Sequence, residues 1–188
     1  MDIVLASGSP RRKELLETLG LEFTICPAKG EECPPQGMGP DETVKALSLA
    51  KAREVAQVYP EALIIAADTI VWADSRILGK PRSEAQAEEM LALLSGSSHE
   101  VYTGVTLICG EKTVCRSECT KVFFRDLSES EIRAYVKTGE PMDKAGAYGI
   151  QGRAAMMVRR IDGDYFNVMG LPLCALGQML EQIGVQLF

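Results

Sequence analysis

Ala62-Leu63-Ile64-Ile65-Ala66-Ala67-Asp68-Thr69 runs six apolar residues in an unbroken row and ends them on a carboxylate. A strand with one wet face alternates apolar and polar residues, so an unbroken row predicts a strand covered on both faces. Helices on the two sides of a sheet provide that cover, which argues for an α/β fold. Ile70–Ala73 prolongs the run, and Asp74-Ser75 turns the chain. Ligands of open α/β sheets bind beyond the carboxyl ends of such strands, and Asp68 emerges there.

Outward from this strand the chain alternates elements. Ile3–Ala6 reads as a short strand, Ser7-Gly8-Ser9-Pro10 as a tight turn, and Leu15, Leu16 and Leu19 recur at helical spacing before Gly20. Ser9 suits the helix N-cap and Pro10 its first position. Leu21–Cys26 predicts a second strand, the Gly- and Pro-rich stretch 29–40 a loop, and Asp41 to about Val58 a second helix. Downstream, Gly79-Lys80-Pro81-Arg82 precedes a helix with a Ser83/Gln86 capping box and a closing Gly96. Residues 99–109 and 112–125 read as long strands joined at Gly110-Glu111, and Ser128/Glu131 opens a helix that stops near Gly139. Glu140–Gly152 has no clear period. Residues 154–161 and 164–168 predict a hairpin around Asp162-Gly163, and Leu173–Ile183 a final amphipathic helix. The reading is a mixed α/β chain forming one domain over residues 1–188, more antiparallel between 99 and 125.

Composition narrows the function classes. The net charge is -6 and the basic residues are scattered, which argues against a nucleic-acid-binding face. No stretch approaches the ~20 apolar residues that span a bilayer. The basic cluster at Arg11-Arg12-Lys13 follows the first apolar run, the reverse of a secretory signal, so a cytoplasmic protein is expected. Six cysteines include no C-x-x-C pair and are expected to be reduced. With one histidine, His99, a multi-histidine metal centre is excluded. A bound metal would need oxygen ligands, which suits Mg²⁺ or Mn²⁺.

Three places could carry chemistry. In Ser7-Gly8-Ser9-Pro10-Arg11-Arg12, a helix N-terminus, two hydroxyls and two arginines offer donors to an anion. Arginines are disfavoured at that end of the helix dipole, so an anion between them would explain both; the alternative is a solvated capping turn. Asp68, leaving a dry strand, would be pushed toward its neutral form unless a metal or cation held it ionised, and either state is useful. It could ligate that metal or serve as base to an attacking water; the alternative is a turn cap. Lys80, Lys144 and Lys51 are single lysines that could join a phosphate site or simply be solvated. Asp143 and the pair Glu31-Glu32 could add carboxylates for a metal. Neither a Walker A motif nor a G-x-G-x-x-G fingerprint is present.

Together, Leu5–Arg12 (LASGSPRR), Glu31-Glu32, Ala50–Ala52, Ala67–Thr69 (ADT), Gly79–Pro81 (GKP), Asp143–Gly152 (DKAGAYGIQG) and Gly170–Leu173 (GLPL) resemble the Maf family of nucleotide pyrophosphatases. The match follows the family's order along essentially the entire chain. The resemblance implies a mixed-sheet, two-lobed α/β fold like that of the inosine-triphosphate pyrophosphatases, with the active cleft between lobes. It implies Asp68 as the catalytic proton acceptor, and Ser7, Ser9, Arg12, Lys51, Lys80 and Lys144 as holders of the triphosphate. Asp68, Glu32 and Asp143 are the implied metal carboxylates, for Mg²⁺ or Mn²⁺. Arg11, Thr69 and Gln151 resemble the branch acting on dTTP and UTP, where a hydroxyl and a carboxamide match a pyrimidine edge. The expected reaction cleaves a nucleoside triphosphate to monophosphate and pyrophosphate. The rivals are the same fold acting on modified or purine nucleotides, and a nucleotide-binding regulator of cell division with incidental hydrolysis. Assembly stays open, a homodimer included.

Overall fold

The computed structural model describes residues 1–30 and 37–186. Its elements in chain order are β1 (Ile3–Leu5), α1 (Pro10–Thr18), β2 (Thr24–Ile25), α2 (Pro40–Val58), β3 (Leu63–Ala73), β4 (Arg76–Leu78), α3 (Glu84–Leu94), β5 (Ser98–Cys109), β6 (Lys112–Phe124), α4 (Glu129–Val136), β7 (Val158–Asp162), α5 (Tyr165–Met169) and α6 (Leu173–Ile183). The strands form one mixed sheet in the order β2-β1-β3-β5-β6-β7, with β4 paired to β3. The chain groups into two compact units, the first comprising Met1–Asp68, Thr103–Glu118 and Gly170–Phe188, the second Thr69–Tyr102 and Cys119–Met169.

In the first unit β1 lies between β2 and β3, parallel to both. Leu63 through Asp68 are all buried, as the unbroken apolar row demands of a strand covered on both faces. Val4, Ala6, Ile64 and Ala66 pack with Ala52 and Val55 of α2 into one cluster. Two contacts press α2 onto β5. A Cβ at Gly104 would collide with the Val44 backbone, so only glycine permits that approach. Beside it, Ser48 Oγ and Thr106 Oγ1 hydrogen-bond at 2.9 Å, both fully buried. These contacts set the helix that carries Lys51.

In the second unit Asp74 (φ 50°) and Ser75 (φ 57°) make a two-residue turn with both φ positive. It returns the chain as β4, with Val71 opposite Leu78. The sequence reading stopped at the turn and did not foresee this strand. Ser83 caps α3 by accepting from Gln86 N, but the Gln86 side chain accepts from Arg82 N instead of closing a capping box. At α4 the Ser128/Glu131 capping box is complete.

Two further expectations fail. Leu21–Cys26 shortens to the two-residue β2. The hairpin over 154–168 does not form: Arg153–Met157 is a 3-10 turn, β7 pairs antiparallel with β6, and 165–169 is helical. The cause is polar chemistry, one local cap and two long-range hydrogen bonds. Asp164 Oδ1 accepts from Phe166 N at 2.7 Å, a cap that starts α5. Asn167, fully buried, then donates from Nδ2 to Val101 O and Thr120 Oγ1, both at 3.0 Å. The five described cysteines are all free thiols. No helix among the described residues is long and apolar enough to cross a membrane.

Candidate active site

In the first unit, Leu5 and Ile65 are register partners and Ala6 N donates to Ile65 O at 2.8 Å. There β1 ends while β3 continues, so Asp68 stands three residues beyond the last partner, about 10 Å at ~3.3 Å per residue. Both Asp68 and the turn that follows β1 thus lie past the carboxyl end of this parallel pair, the position from which such sheets present ligand-binding groups.

Asp68 is 5% exposed. The cation beside it is Lys51, whose Nζ donates to Oδ1 at 2.6 Å. In the turn, buried Ser7 accepts twice at Oγ, from Ser9 N at 3.2 Å and from an Arg12 Nη at 3.1 Å. Arg12 Nε donates to Gly170 O at 2.8 Å, so the guanidinium is braced from two sides. Ser9 is the N-cap of α1 and Pro10 occupies its first turn, as expected, but the Ser9 hydroxyl makes no capping bond. No acid occupies that first turn, where Arg11 is half-buried. Hydroxyls, guanidinium and open N–H groups make an anion-accepting end.

The remaining residues belong to the second unit. Lys144 Nζ donates to Glu140 O at 2.8 Å and to Asp143 Oδ1 at 2.6 Å. Its aliphatic stem passes over Gly149, where a Cβ would stand 2.7 Å from Cδ and Cε. Gly146 N donates to Gly79 O at 3.1 Å, tying the Lys80 stretch to the Lys144 loop. Lys80 and Gln151 are exposed, and Thr69 is half-buried. Glu140 was not anticipated: Oε1 accepts from Tyr135 OH at 3.1 Å and Oε2 from Arg153 N at 3.3 Å. Burial, then the Glu140 charge, pushes the Tyr135 phenol up from its ordinary value, keeping it a donor. A carboxylate between Gly139 and Pro141 reads as loop surface, so no sequence signal marked it.

His99, the single histidine, lies among aromatic rings of the second unit. It sits 2% exposed between Phe124 and Tyr148, with Nε2 2.7 Å from Tyr148 OH. Nδ1 is buried with no partner among the described residues, and burial lowers the imidazole to about 4.

Among the expected metal carboxylates, Asp68 is in the first unit, Asp143 is in the second, and Glu32 lies outside the described residues. The chain entering that stretch is held by Glu54 of α2, which accepts from Lys29 N at 2.7 Å and Gly30 N at 3.0 Å. Among the described residues no three His, Cys, Asp or Glu side chains converge. A single hard carboxylate still fits Mg²⁺ or Mn²⁺, which commonly take one or two carboxylates together with substrate phosphates and water.

The fold matches that of solved Ham1 proteins. The Staphylococcus aureus Ham1 protein superposes with a TM-score of 0.53 at 13% identity, covering 97% of this chain and 100% of that one. A Ham1 protein from Coxiella burnetii gives 0.50 at 17% identity, covering 97% and 99%. In sequence, the dTTP/UTP pyrophosphatase of Bacillus cytotoxicus is 52% identical over 179 residues, 95% of this chain and 94% of its own. The protein of the same name from Symbiobacterium thermophilum is 50% identical over 186 residues, 99% and 96%. The Maf-like protein profile matches residues 2–183, a span that holds every motif above. By that match and these identities, the chain belongs to the Maf-like protein family.

Proposed function

We propose that this protein hydrolyses dTTP and UTP to the nucleoside monophosphate and pyrophosphate. The observation that carries the reading is the buried Asp68–Lys51 pair at the carboxyl end of a parallel strand pair that also presents the Ser7–Arg12 anion site. Its chemistry suits the activity named for relatives that are 50% and 52% identical over nearly the full length of both chains.

In this reading water attacks the α-phosphorus in line, the bond to the bridging oxygen breaks, and pyrophosphate leaves. Asp68 orients the water and takes its proton. Arg12, Lys51, Lys80 and Lys144 spread positive charge over the phosphate oxygens, with Ser7 and Ser9 adding hydroxyl donors. Lys51 has three N–H donors, enough to keep Asp68 oriented while reaching a phosphate. Arg11, Thr69 and Gln151 select the base. Asp68 would hold a Mg²⁺ or Mn²⁺ ion, with Glu32 and Asp143 as further candidates. When bound, that ion supplies Lewis-acid neutralisation of the phosphate charge. The protein works in the cytoplasm, as a monomer or a homodimer.

Product analysis tests the reading. Incubation of the purified chain with dTTP or UTP and Mg²⁺ or Mn²⁺ should yield monophosphate and pyrophosphate in equal amounts. EDTA should stop turnover, and excess Mg²⁺ should restore it. Orthophosphate with the nucleoside diphosphate would put the cleavage at the wrong bond.

A further inference from the structure

We propose that Glu140 is a positioning residue: with Tyr135 it clasps the Lys144–Gln151 loop in the geometry that substrate requires. The inference rests on the reading of Lys144 as a phosphate holder and Gln151 as a base reader. Glu140 makes three contacts, one inside the loop and two at its flanks. Its backbone carbonyl accepts from Lys144 Nζ at 2.8 Å. Its carboxylate Oε1 accepts from Tyr135 OH. Its Oε2 accepts from Arg153 N. The chain passes so close at Gly152 that a Cβ there would collide with the carboxylate. Gln151 therefore sits between Gly149, which lies against the Lys144 stem, and Gly152-Arg153, which lies against the Glu140 carboxylate.

Charge makes the placement informative. A further carboxylate in a segment that must bind a polyanion opposes that binding. A neutral side chain would serve if filling space were the only need. Two acceptor oxygens engaged by a phenol and a backbone N–H are what the carboxylate adds. Such charge-assisted bonds are short-range and directional, suited to fixing a loop that contains no α-helix or strand.

The test compares wild type with Glu140→Ala, Glu140→Gln and Tyr135→Phe. Losing charge-assisted bonds should raise KM for dTTP about tenfold in Glu140→Ala, while kcat stays within about threefold. The preference for dTTP over CTP should fall with it. Glu140→Gln keeps one accepting oxygen and should recover part of both, and Tyr135→Phe should reproduce part of the loss. Without any nucleotide, tryptic cleavage after Lys144 and Arg153 should accelerate in Glu140→Ala and less so in Glu140→Gln. An equal fall of kcat and kcat/KM for every nucleotide, with a lowered Tm, would reduce Glu140 to a stability residue and overturn the proposal. Unchanged KM, preference and cleavage would overturn it as well. If wild type releases no pyrophosphate from dTTP or UTP, the substrate reading fails, and the cleavage arm then decides the clasp by itself.

Discussion

Asp68 and Lys144 each have an ionic partner at 2.6 Å, yet the two pairs differ in what surrounds them. Around Asp68 both side chains are dry, 7% exposed for the aspartate and 15% for Lys51, and both sit on regular elements. Lys144 is 14% exposed, but its partner Asp143 is 75% exposed and their segment has no α-helix or strand. Solvent screens the second pair, so its geometry depends on the Glu140 carbonyl and the Gly149 cushion more than on the charge contact. The first pair is held by buried strand and helix, and breaking it leaves a buried charge. In the proposed reading the contrast separates rigid chemistry from adjustable recognition. A proton acceptor tolerates little displacement, whereas a loop that reads a base can be tuned through a few hydrogen bonds.

Asp68→Asn tests the rigid side and should produce the largest effect. The amide can still accept from Lys51 but cannot take a proton from water, so kcat should fall at least ~100-fold with nucleotide binding retained. Single-turnover kinetics and equilibrium dTTP binding would separate the two, and near-normal turnover would leave Asp68 a mere turn cap.

Arg12→Ala against Gln151→Glu sharpens the comparison. Arg12 is braced by Ser7 and Gly170 and carries no base information, so its loss should weaken dTTP, UTP, CTP and GTP by a common factor. Gln151→Glu removes two donors and adds charge, and should lower kcat/KM for dTTP and UTP about tenfold, because a base carbonyl left unpaired in the complex costs ~1–3 kcal/mol. Guanine presents N–H donors and should lose less. A uniform drop across all four nucleotides in Gln151→Glu would remove Gln151 from base selection.

The smallest effect on activity at neutral pH belongs to His99, whose influence is on stability in acid. Its folded value is about 4 against ~6.5 for a free imidazole, so the unfolded chain takes the proton first. The contribution is fully present above pH ~6.5 and is lost as pH falls toward 4, about 3 kcal/mol in all. Protonated Nδ1 would have no acceptor among the described residues. Urea unfolding at pH 7 and pH 4.5 should show this loss in wild type and a shallower one in His99→Gln. Equal pH slopes would contradict it.

The apolar row at 62–67, the Ser9-Pro10 helix start and the Ser128/Glu131 capping box were all readable in the sequence. Each is a local rule acting within a few residues, where burial on two faces or an orphan N–H allows few alternatives. The hairpin expected over 154–168 failed because alternation in a short segment cannot register Thr120 and Val101, the partners that draw Asn167 into a buried helix. β4 escaped notice because three residues carry too little pattern to distinguish strand from loop.

The site divides along the same line. Residue types drew attention to Ser7, Arg12 and Asp68, because hydroxyls and arginines at a helix start and a carboxylate after a dry strand are chemically conspicuous where they stand, whereas Lys144 was singled out by the family resemblance. That Lys51 is the partner of Asp68 was decided only by the packing of α2 on β5, through Gly104 and the Ser48–Thr106 bond. That Glu140 holds the Lys144 loop was likewise a tertiary outcome. A sequence records which groups are present at each position, but the direction of a side chain depends on the element packed against it, and that element is supplied by residues far away in the chain.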